Sequence, residues 1–287
     1  MPERFTLKRP TLAGILLIHL GALFALVTFS WPAFGLLVVL HWVTVGLGIT
    51  LGYHRLLTHR SFKAPKSLEY ALAVCGALAA QGGPVKWVST HRMHHAFSDR
   101  PQDPHSPTRG FWWAHMGWLL AYDDVLDHPT EHGRYAPELA ADPMHRLIGR
   151  TNGLLQVALG LVLLAWGGWP FVIWGIFARI VFAWHCTWLV NSATHLWGYR
   201  THETGENSRN NWWVALLTYG EGWHNNHHAY PASAAHGLRW WEVDATHLTV
   251  RLLALLGLAG EIRLPIGNPS RLPVVRESVA AAAAAAL

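Results

Sequence analysis

Clusters of histidine are the residues of this 287-residue chain that could do chemistry. Three clusters, drawn from 20 histidines, read HRLLTH at 54–59, HRMHH at 91–95 and HNNHH at 224–228. Side chains at positions i, i+3 and i+4 share one face of a helix, so each of the two later clusters can direct three imidazoles to one point. His54 and His59 stand about 140° apart on an α-helix, and they can converge only if that helix unwinds or ends between them.

A fourth element, NSATH at 191–195, places Asn191 and His195 on one helical face. The four elements supply nine histidines, more than one ion can take, since structural zinc usually has four ligands. We therefore expect two metal ions, with Asn191 holding a bound water. Imidazole suits zinc, copper, iron and nickel, and iron that activates dioxygen best fits chemistry on an apolar substrate. The residue types alone leave zinc open.

The elements that must position these clusters are apolar. Only 14% of the residues are charged, whereas about 25% are charged in soluble domains. Four stretches of about 20 residues are each predicted to span a membrane: 11–29, 31–52, 152–168 and 170–190. Each pair turns at an uncharged Trp-Pro corner, which suits an interfacial aromatic belt and the start of a new helix.

Lysine and arginine set the predicted orientation, because they flank the outer ends of both pairs and are absent from the two corners. The positive-inside rule then places the termini and the histidines on the cytoplasmic side. The sequence thus predicts an all-α integral membrane protein, with four transmembrane helices in two hairpins beneath a helical cytoplasmic cap that holds a dimetal site. We expect a single domain, 1–287, whose cap comprises 53–151 and 191–275. The apolar stretch 68–80 is too short to span, so it is expected to lie in the interface or to be re-entrant.

Charge and isolated polar residues add further expectations. The net charge of +5 favours contact with anionic lipid headgroups or an acidic partner, whereas no run of lysine and arginine is dense enough for nucleic acid.

Arg179 inside the fourth span is expected to face the bundle or to snorkel. The carboxylates expected to orient imidazoles are those of Asp99, Asp103 and Glu221. Three histidines stand alone in apolar spans and are expected to be packed side chains: His19, His41 and His185.

With these motifs the chain resembles the membrane-bound fatty acid delta-9 desaturases, both acyl-CoA and acyl-lipid. The resemblance covers about residues 35 to 255 and rests on GITLGYHRLLTHRSF, QGGPVKWVSTHRMHH, GFWWAHMGW, TWLVNSATHLWGYR and EGWHNNHH. The stretch NNWWVALLTYGEGWHNNHHAY is most similar to the bacterial and cyanobacterial acyl-lipid branch. The resemblance implies an oxidoreductase that uses dioxygen and two electrons to insert a cis double bond, at delta-9, into a saturated stearoyl or palmitoyl group at a di-iron centre.

The resemblance also implies particular site residues. Gln81, Trp87 and Thr187 would line the bend of a kinked substrate tunnel, and Trp42 and Gly46 would sit near its closed end. An external electron donor, an acidic ferredoxin, is implied as well, because the chain beyond position 255 is too short for a fused donor domain. The implied iron ligands, with Asn191 acting through water, are His54, His59, His91, His94, His95, Asn191, His195, His224, His227 and His228.

Three other functions fit part of this pattern. A di-iron lipid hydroxylase would share the histidines and differ only in its product. A non-catalytic membrane metal-binding protein would bind zinc and would need no lipid tunnel. A membrane cytochrome would need histidines facing each other inside the spans, whereas the clusters lie at span ends. The residues leave open whether glycerolipid, CoA or a carrier protein carries the acyl chain.

Overall fold

The computed structural model describes residues 6–123 and 127–265, and within them the regular structure is helical apart from isolated β-bridges. The end of the predicted cap, 266–275, and the alanine-rich tail lie outside these residues. The helices in chain order are α1 (Arg9–Leu23), α2 (Trp31–His41, continued as a π-helix over Trp42–Thr58), α3 (Lys66–Ala77), α4 (Pro84–Phe97), α5 (Trp118–Leu120), α6 (Pro129–Tyr135), α7 (Pro137–Ala141), α8 (Pro143–Val172), α9 (Arg179–Ser192), α10 (Trp212–Leu217), α11 (His224–Ala229) and α12 (Ala245–Leu255).

Three helical stretches are long and apolar enough to cross a membrane: Arg9–Leu26, Trp31–Thr58 and Pro143–His195. The third is broken at Gly168, whose φ of 67° and ψ of −160° are conformations that essentially only glycine adopts. A β-carbon on Gly175 would lie 2.5 Å from Leu163 Cδ1, although the two residues would be about 18 Å apart along a straight helix. The chain therefore folds back on itself at Gly168.

The boundaries of these helices differ from the predicted ones. The second helix extends past residue 52 to Thr58, and the third begins at Pro143 instead of 152. At that start the Asp142 side chain accepts hydrogen bonds from the backbone N–H of Met144 (2.9 Å) and His145 (3.3 Å), and Pro143 occupies the first helical position. A capping carboxylate followed by proline starts a helix independently of hydropathy, which is why a search for uncharged stretches places this start too late.

The apolar stretch predicted at 68–80 forms α3, which packs along α2. The contact is close because both helices carry glycine there: a β-carbon on Gly48 would lie 2.3 Å from the backbone nitrogen of Gly76. Beyond α3, the carbonyl of Leu78 accepts hydrogen bonds from Arg179 Nη1 and Gln156 Nε2, both at 2.8 Å. The fully buried Arg179 thus faces the bundle. Arg179 belongs to the apolar stretch Pro143–His195, so the end of α3 packs against a helix of membrane-spanning length. Whether α3 lies in the interface or is re-entrant stays a prediction.

A buried core joins this segment to the histidine-bearing α4. Ile49 and Tyr53 of α2, Ala73 of α3, Val88 of α4 and Ile148 of α8 belong to one cluster, and each is at most 4% exposed. Burial of a side chain as large as Ile or Val contributes about 1.5–3 kcal/mol. This packing fixes the position of α4 relative to the end of α2.

The π-helical part of α2 brings His54 and His59 together. The backbone N–H of His59 donates to the carbonyl of His54 at 3.1 Å, the i to i−5 pattern of a π-helix. Each turn of a π-helix takes more residues than an α-helical turn, so positions i and i+5 come close to one face. The helix widens before it ends at Thr58, and the convergence requires no unwinding.

Candidate metal centre

Five histidines from the end of α2, from α4 and from α11 form what we name the first histidine group. One ring nitrogen of each lies within 4.8 Å of those of all the others. The Nε2 atom of His95 is 2.9 Å from that of His227 and 3.0 Å from that of His91. The Nε2 atoms of His54 and His227 are 3.2 Å apart. The members of this group are His54, His59, His91, His95 and His227.

Four further histidines form the second histidine group: His94, His195, His224 and His228. The Nε2 atoms of His195 and His224 are 3.1 Å apart, and those of His94 and His228 are 3.4 Å apart. The nine histidines singled out from the sequence therefore lie together. However, the three imidazoles of HRMHH do not converge on one point as predicted, and neither do those of HNNHH. Consecutive residues diverge by about 100° on a helix, so His94 and His228 join one group while their neighbours join the other.

A carboxylate lies at most 3.1 Å from the Nδ1 atom of one histidine of the first group and of two histidines of the second. Glu221 Oε2 is 2.6 Å from His54 Nδ1, Asp103 Oδ2 is 3.0 Å from His94 Nδ1, and Asp99 Oδ1 is 3.1 Å from His195 Nδ1. These are the three carboxylates expected to orient imidazoles. A carboxylate at Nδ1 favours the tautomer with its hydrogen there, which leaves the Nε2 lone pair directed into the group. The same arrangement orients histidine ligands in metal sites.

Arg55 holds the carboxylate of Glu221 in place. Its Nε and Nη2 donate to Glu221 Oε1 at 3.2 and 3.1 Å, and its Nη1 donates to Asp244 Oδ2 at 2.9 Å. Arg55 is fully buried, and both acids are at most 6% exposed. Neither Arg55 nor Asp244 was singled out from the sequence, where an arginine inside HRLLTH reads as a flanking charge. Its only sequence signal is its position next to His54.

His236 is a tenth histidine at the centre and is fully buried, whereas sequence reasoning placed it among surface or supporting residues. Its ring centroid lies 4.3 Å from that of His227, and its Nδ1 lies 3.2 Å from Glu221 Oε2. His236 does not belong to a histidine cluster in the sequence, so only its contacts in the folded protein reveal that it lies at the centre. Burial, followed by the nearby Arg55, lowers its pKa to about 4. We expect its imidazole to be neutral.

Protonation states in the two groups suit metal binding. Burial, reinforced by neighbouring imidazoles, lowers the pKa of six histidines: His59, His91, His95, His224, His227 and His228. Neutral imidazole is the form that binds a metal. Burial alone would raise the pKa of Glu221, but His54 and Arg55 hold it well below its usual range. The centre thus combines neutral nitrogen donors with a buried negative charge.

Two neighbouring cavities, which share four lining residues, adjoin the histidines. The larger, about 290 Å³, reaches His91 and Asn191, and the smaller, about 40 Å³, continues between α2 and α9. Trp87 and Thr187 line both cavities, together with His91 and Asn191. Gln81 lines the larger one, accepts a hydrogen bond from Trp87 Nε1 (3.2 Å) and donates to Thr187 Oγ1 (2.8 Å). These three residues form a hydrogen-bonded chain where the two cavities meet.

The inner end of the smaller cavity is lined by Val45 and neighbouring residues of α2. Gly46 lies beside it and not in its lining, and a β-carbon there would meet the ring of Tyr219 at 3.3 Å. Trp42, one turn earlier, is 45% exposed and lines neither cavity. The Tyr219 hydroxyl is 2.7 Å from His41 Nδ1. Tyr219 was not predicted from the sequence, because nothing local indicates which side chain approaches α2.

Histidines outside the centre also have definite positions. His19 Nε2 is 3.1 Å from His185 Nε2, and His185 Nδ1 is 2.9 Å from His115 Nε2. His115 in turn lies 3.0 Å from Ser192 Oγ. The sequence treats His19 and His185 as packed side chains, and they do pack between α1 and α9 in this hydrogen-bonded chain.

The fold and the site together define a class of protein: an all-helical chain with membrane-length apolar helices and two adjoining histidine groups, suited to metal ions, at the inner end of an apolar cavity. The fatty acid desaturase family model matches residues 9–258, and the chain belongs to this family. The resemblance drawn from the motifs is confirmed.

The names of similar proteins specify substrates whose acyl group is carried by different molecules, a lipid or CoA. The chain is 56% identical over 252 residues to the sn-1 stearoyl-lipid 9-desaturase of Anabaena variabilis, a match covering 86% of this chain and 90% of that protein. It is 51% identical over 268 residues to the sn-2 palmitoyl-lipid 9-desaturase of a Nostoc species, covering 91% and 93%. It is also 49% identical over 253 residues to an acyl-CoA 5-desaturase of Anemone leveillei, covering 86% and 77%.

Proposed function

We propose that the chain is a dioxygen-dependent desaturase that inserts a cis double bond at delta-9 into a stearoyl or palmitoyl group carried by a lipid or CoA. The observation that carries the proposal is the meeting of two histidine groups with an apolar cavity, lined at the junction by His91 and Asn191. The 9-desaturase names of the two cyanobacterial relatives support the position of the bond.

The donor atoms fit two metal ions. The first histidine group would hold one ion and the second would hold the other, with Asn191 contributing through a water. Five imidazoles within 4.8 Å of one another exceed the four ligands of structural zinc, which favours iron. When bound, iron supplies the activation of dioxygen needed to remove hydrogen from an unactivated methylene. Dioxygen becomes two waters, using two hydrogens of the substrate plus two electrons and two protons from outside.

The chain's own contribution is to position the acyl chain and to exclude water. Trp87, Gln81 and Thr187 hold one another by hydrogen bonds where the cavities meet, so the apolar surface of the Trp87 ring is fixed next to His91. A bent acyl chain would pass this point and present adjacent carbons to the histidines. Holding a reacting group in one geometry can supply several kcal/mol of the barrier reduction. Glu221, Asp103 and Asp99 would keep the imidazoles directed inward.

Membrane insertion completes the proposal. We infer four spans, because the third apolar stretch folds back at Gly168 and the exposed Trp31, Trp166 and Trp169 lie near the two predicted corners. The positive-inside rule supports a cytoplasmic site and cytoplasmic termini. The net charge of +5 suits an acidic external electron donor, and a ferredoxin is the proposed donor.

The test is product analysis on matched variants. Cells expressing the wild type should accumulate delta-9 unsaturated acyl groups in gas chromatography, and His94→Ala should abolish them and reduce bound metal. His202→Ala is the control, since its ring contacts Tyr230 and belongs to neither histidine group. Unchanged unsaturation in His94→Ala would refute the proposal. Hydroxylated products would assign the centre to a lipid hydroxylase, and metal binding without lipid conversion would assign it to a metal-binding protein.

A further inference from the structure

The larger cavity runs along one face of α1. Lys8, Thr11 and Ile15, spaced three and four residues apart, all line it, and so does Gly14. Residues at this spacing share a helical face. A β-carbon added at Gly14 would meet nothing within 4 Å. The wall of the cavity is therefore open at Gly14, which lies in the second turn of the helix that begins at Arg9.

The opposite wall comes from α9, through Trp184, Thr187 and Trp188. Both α1 and α9 lie in stretches long enough to cross a membrane. On α1 the neighbouring Leu16 and Leu17 are 51% and 64% exposed, so this helix presents an apolar outer surface next to the cavity. A slot between two such helices opens towards the hydrocarbon of a bilayer, and an acyl chain is the ligand that suits it.

The outer end of the cavity carries three charges. Lys8 Nζ lies 2.6 Å from Asp127 Oδ2, and Lys86 Nζ lies 3.3 Å from Asp127 Oδ1. No other lysine, arginine, aspartate or glutamate in the described chain lines this cavity. One carboxylate balances one of two ammonium groups, which leaves a single net positive charge. Lys8 directly precedes α1, so this cluster lies at the polar end of the slot.

We propose that this cavity is a lateral entrance through which the acyl chain slides in from the bilayer along α1, while its lipid headgroup rests on Lys8, Asp127 and Lys86. Asp127 sets the preference for the carrier, because it cancels one of the two lysine charges. An uncharged polar headgroup meets the charge-paired groups without penalty. CoA carries several negative charges and gains little from a single net positive charge. The inference rests on the proposed function and adds the route and the carrier.

The lateral route is tested by substituting Gly14 and, as a control, Gly35. Gly14→Leu places a branched side chain in the slot, and leucine has a higher helix propensity than glycine, so the variant should fold. Gly35→Leu on α2 is the matched control, since a β-carbon there also meets nothing within 4 Å and Gly35 lines neither cavity. The iron-loaded enzyme is assayed in vesicles containing distearoyl galactosyl glycerolipid, with a reduced ferredoxin. Gly14→Leu should lose at least about tenfold in turnover while Gly35→Leu keeps it; equal turnover in the two would overturn the lateral route.

The preference for one acyl carrier is tested by removing charges of this cluster one at a time. Wild type, Asp127→Asn and Lys86→Gln are each given the galactosyl lipid or stearoyl-CoA. Asp127→Asn should raise the ratio of CoA to lipid turnover by about two- to fivefold, the range of one exposed ion pair, and Lys86→Gln should lower it. An unchanged ratio in Asp127→Asn would refute the role of this cluster. If the wild type desaturates neither substrate, the proposed function itself fails, which is a different result from an unchanged ratio.

Discussion

Replacing Glu221 by glutamine is the sharpest test of how the metal centre is held. The carboxylate accepts from His54 Nδ1 at 2.6 Å through one oxygen and from Arg55 through the other. A glutamine amide offers one oxygen and one NH2 group, so it cannot accept on both sides. If its oxygen serves the buried Arg55, its NH2 faces His54 Nδ1. The hydrogen of His54 then moves to Nε2, the atom that points at His227.

The expected magnitude follows from this loss. Removing a carboxylate that orients a ligand histidine typically costs 10- to 100-fold in metal affinity or activity, about 1.4–2.7 kcal/mol. We expect Glu221→Gln to reduce metal affinity of the first histidine group in that range and to reduce desaturation similarly. Metal content per purified chain and a chelator competition titration measure the metal affinity, and gas chromatography of the products measures the desaturation.

The Asp244→Asn variant distinguishes a loss of histidine orientation from a general loss of stability. Asp244 Oδ2 also accepts from Arg55 and from the backbone N–H of His236 (2.7 Å), but it touches no imidazole of either histidine group. The asparagine variant should lower the midpoint of thermal unfolding and keep the metal content of the folded fraction. Wild-type metal affinity in Glu221→Gln, or an equal loss of metal in both variants, would show that the reasoning about His54 is incorrect.

Other parts of the fold make three further predictions. Arg179→Leu should lower the free energy of unfolding by about 1.5–3 kcal/mol, because the Leu78 carbonyl loses a charged donor; thermal unfolding in detergent measures it. Gly48→Val should prevent α3 from packing on α2, since a β-carbon already meets Gly76 at 2.3 Å, and the protein should not survive size-exclusion chromatography as a monodisperse species. Trp87→Phe keeps a ring but removes the donor to the Gln81 amide oxygen, so we expect products with the double bond at several positions in mass spectrometry; a single unchanged position would contradict a role for this hydrogen bond.

Spacing of residues along the chain was enough to find the nine histidines. Local helix geometry fixes which side chains share a face, and membrane-length apolar stretches place those faces at helix ends. The same patterns predicted the all-helical fold and the family. They also named Asp99, Asp103 and Glu221, because carboxylates near a histidine cluster are natural partners for its outward nitrogens.

Contacts between distant segments were decided only by the tertiary structure. Arg55 meets Asp244 across 189 positions of sequence, and Tyr219 reaches His41 across 178. The division of HRMHH between two groups likewise depends on where α11 packs against α4, which no local pattern encodes.

The sequence by itself therefore determined the donors, the apolar helices and the family, because each follows from residue type and periodicity within a short window. The tertiary structure decided which histidines share a group, that α2 widens to a π-helix before His59, and that an open slot runs beside Gly14. These depend on how separate helices approach one another. That approach is set by the summed packing of many side chains and not by any one segment.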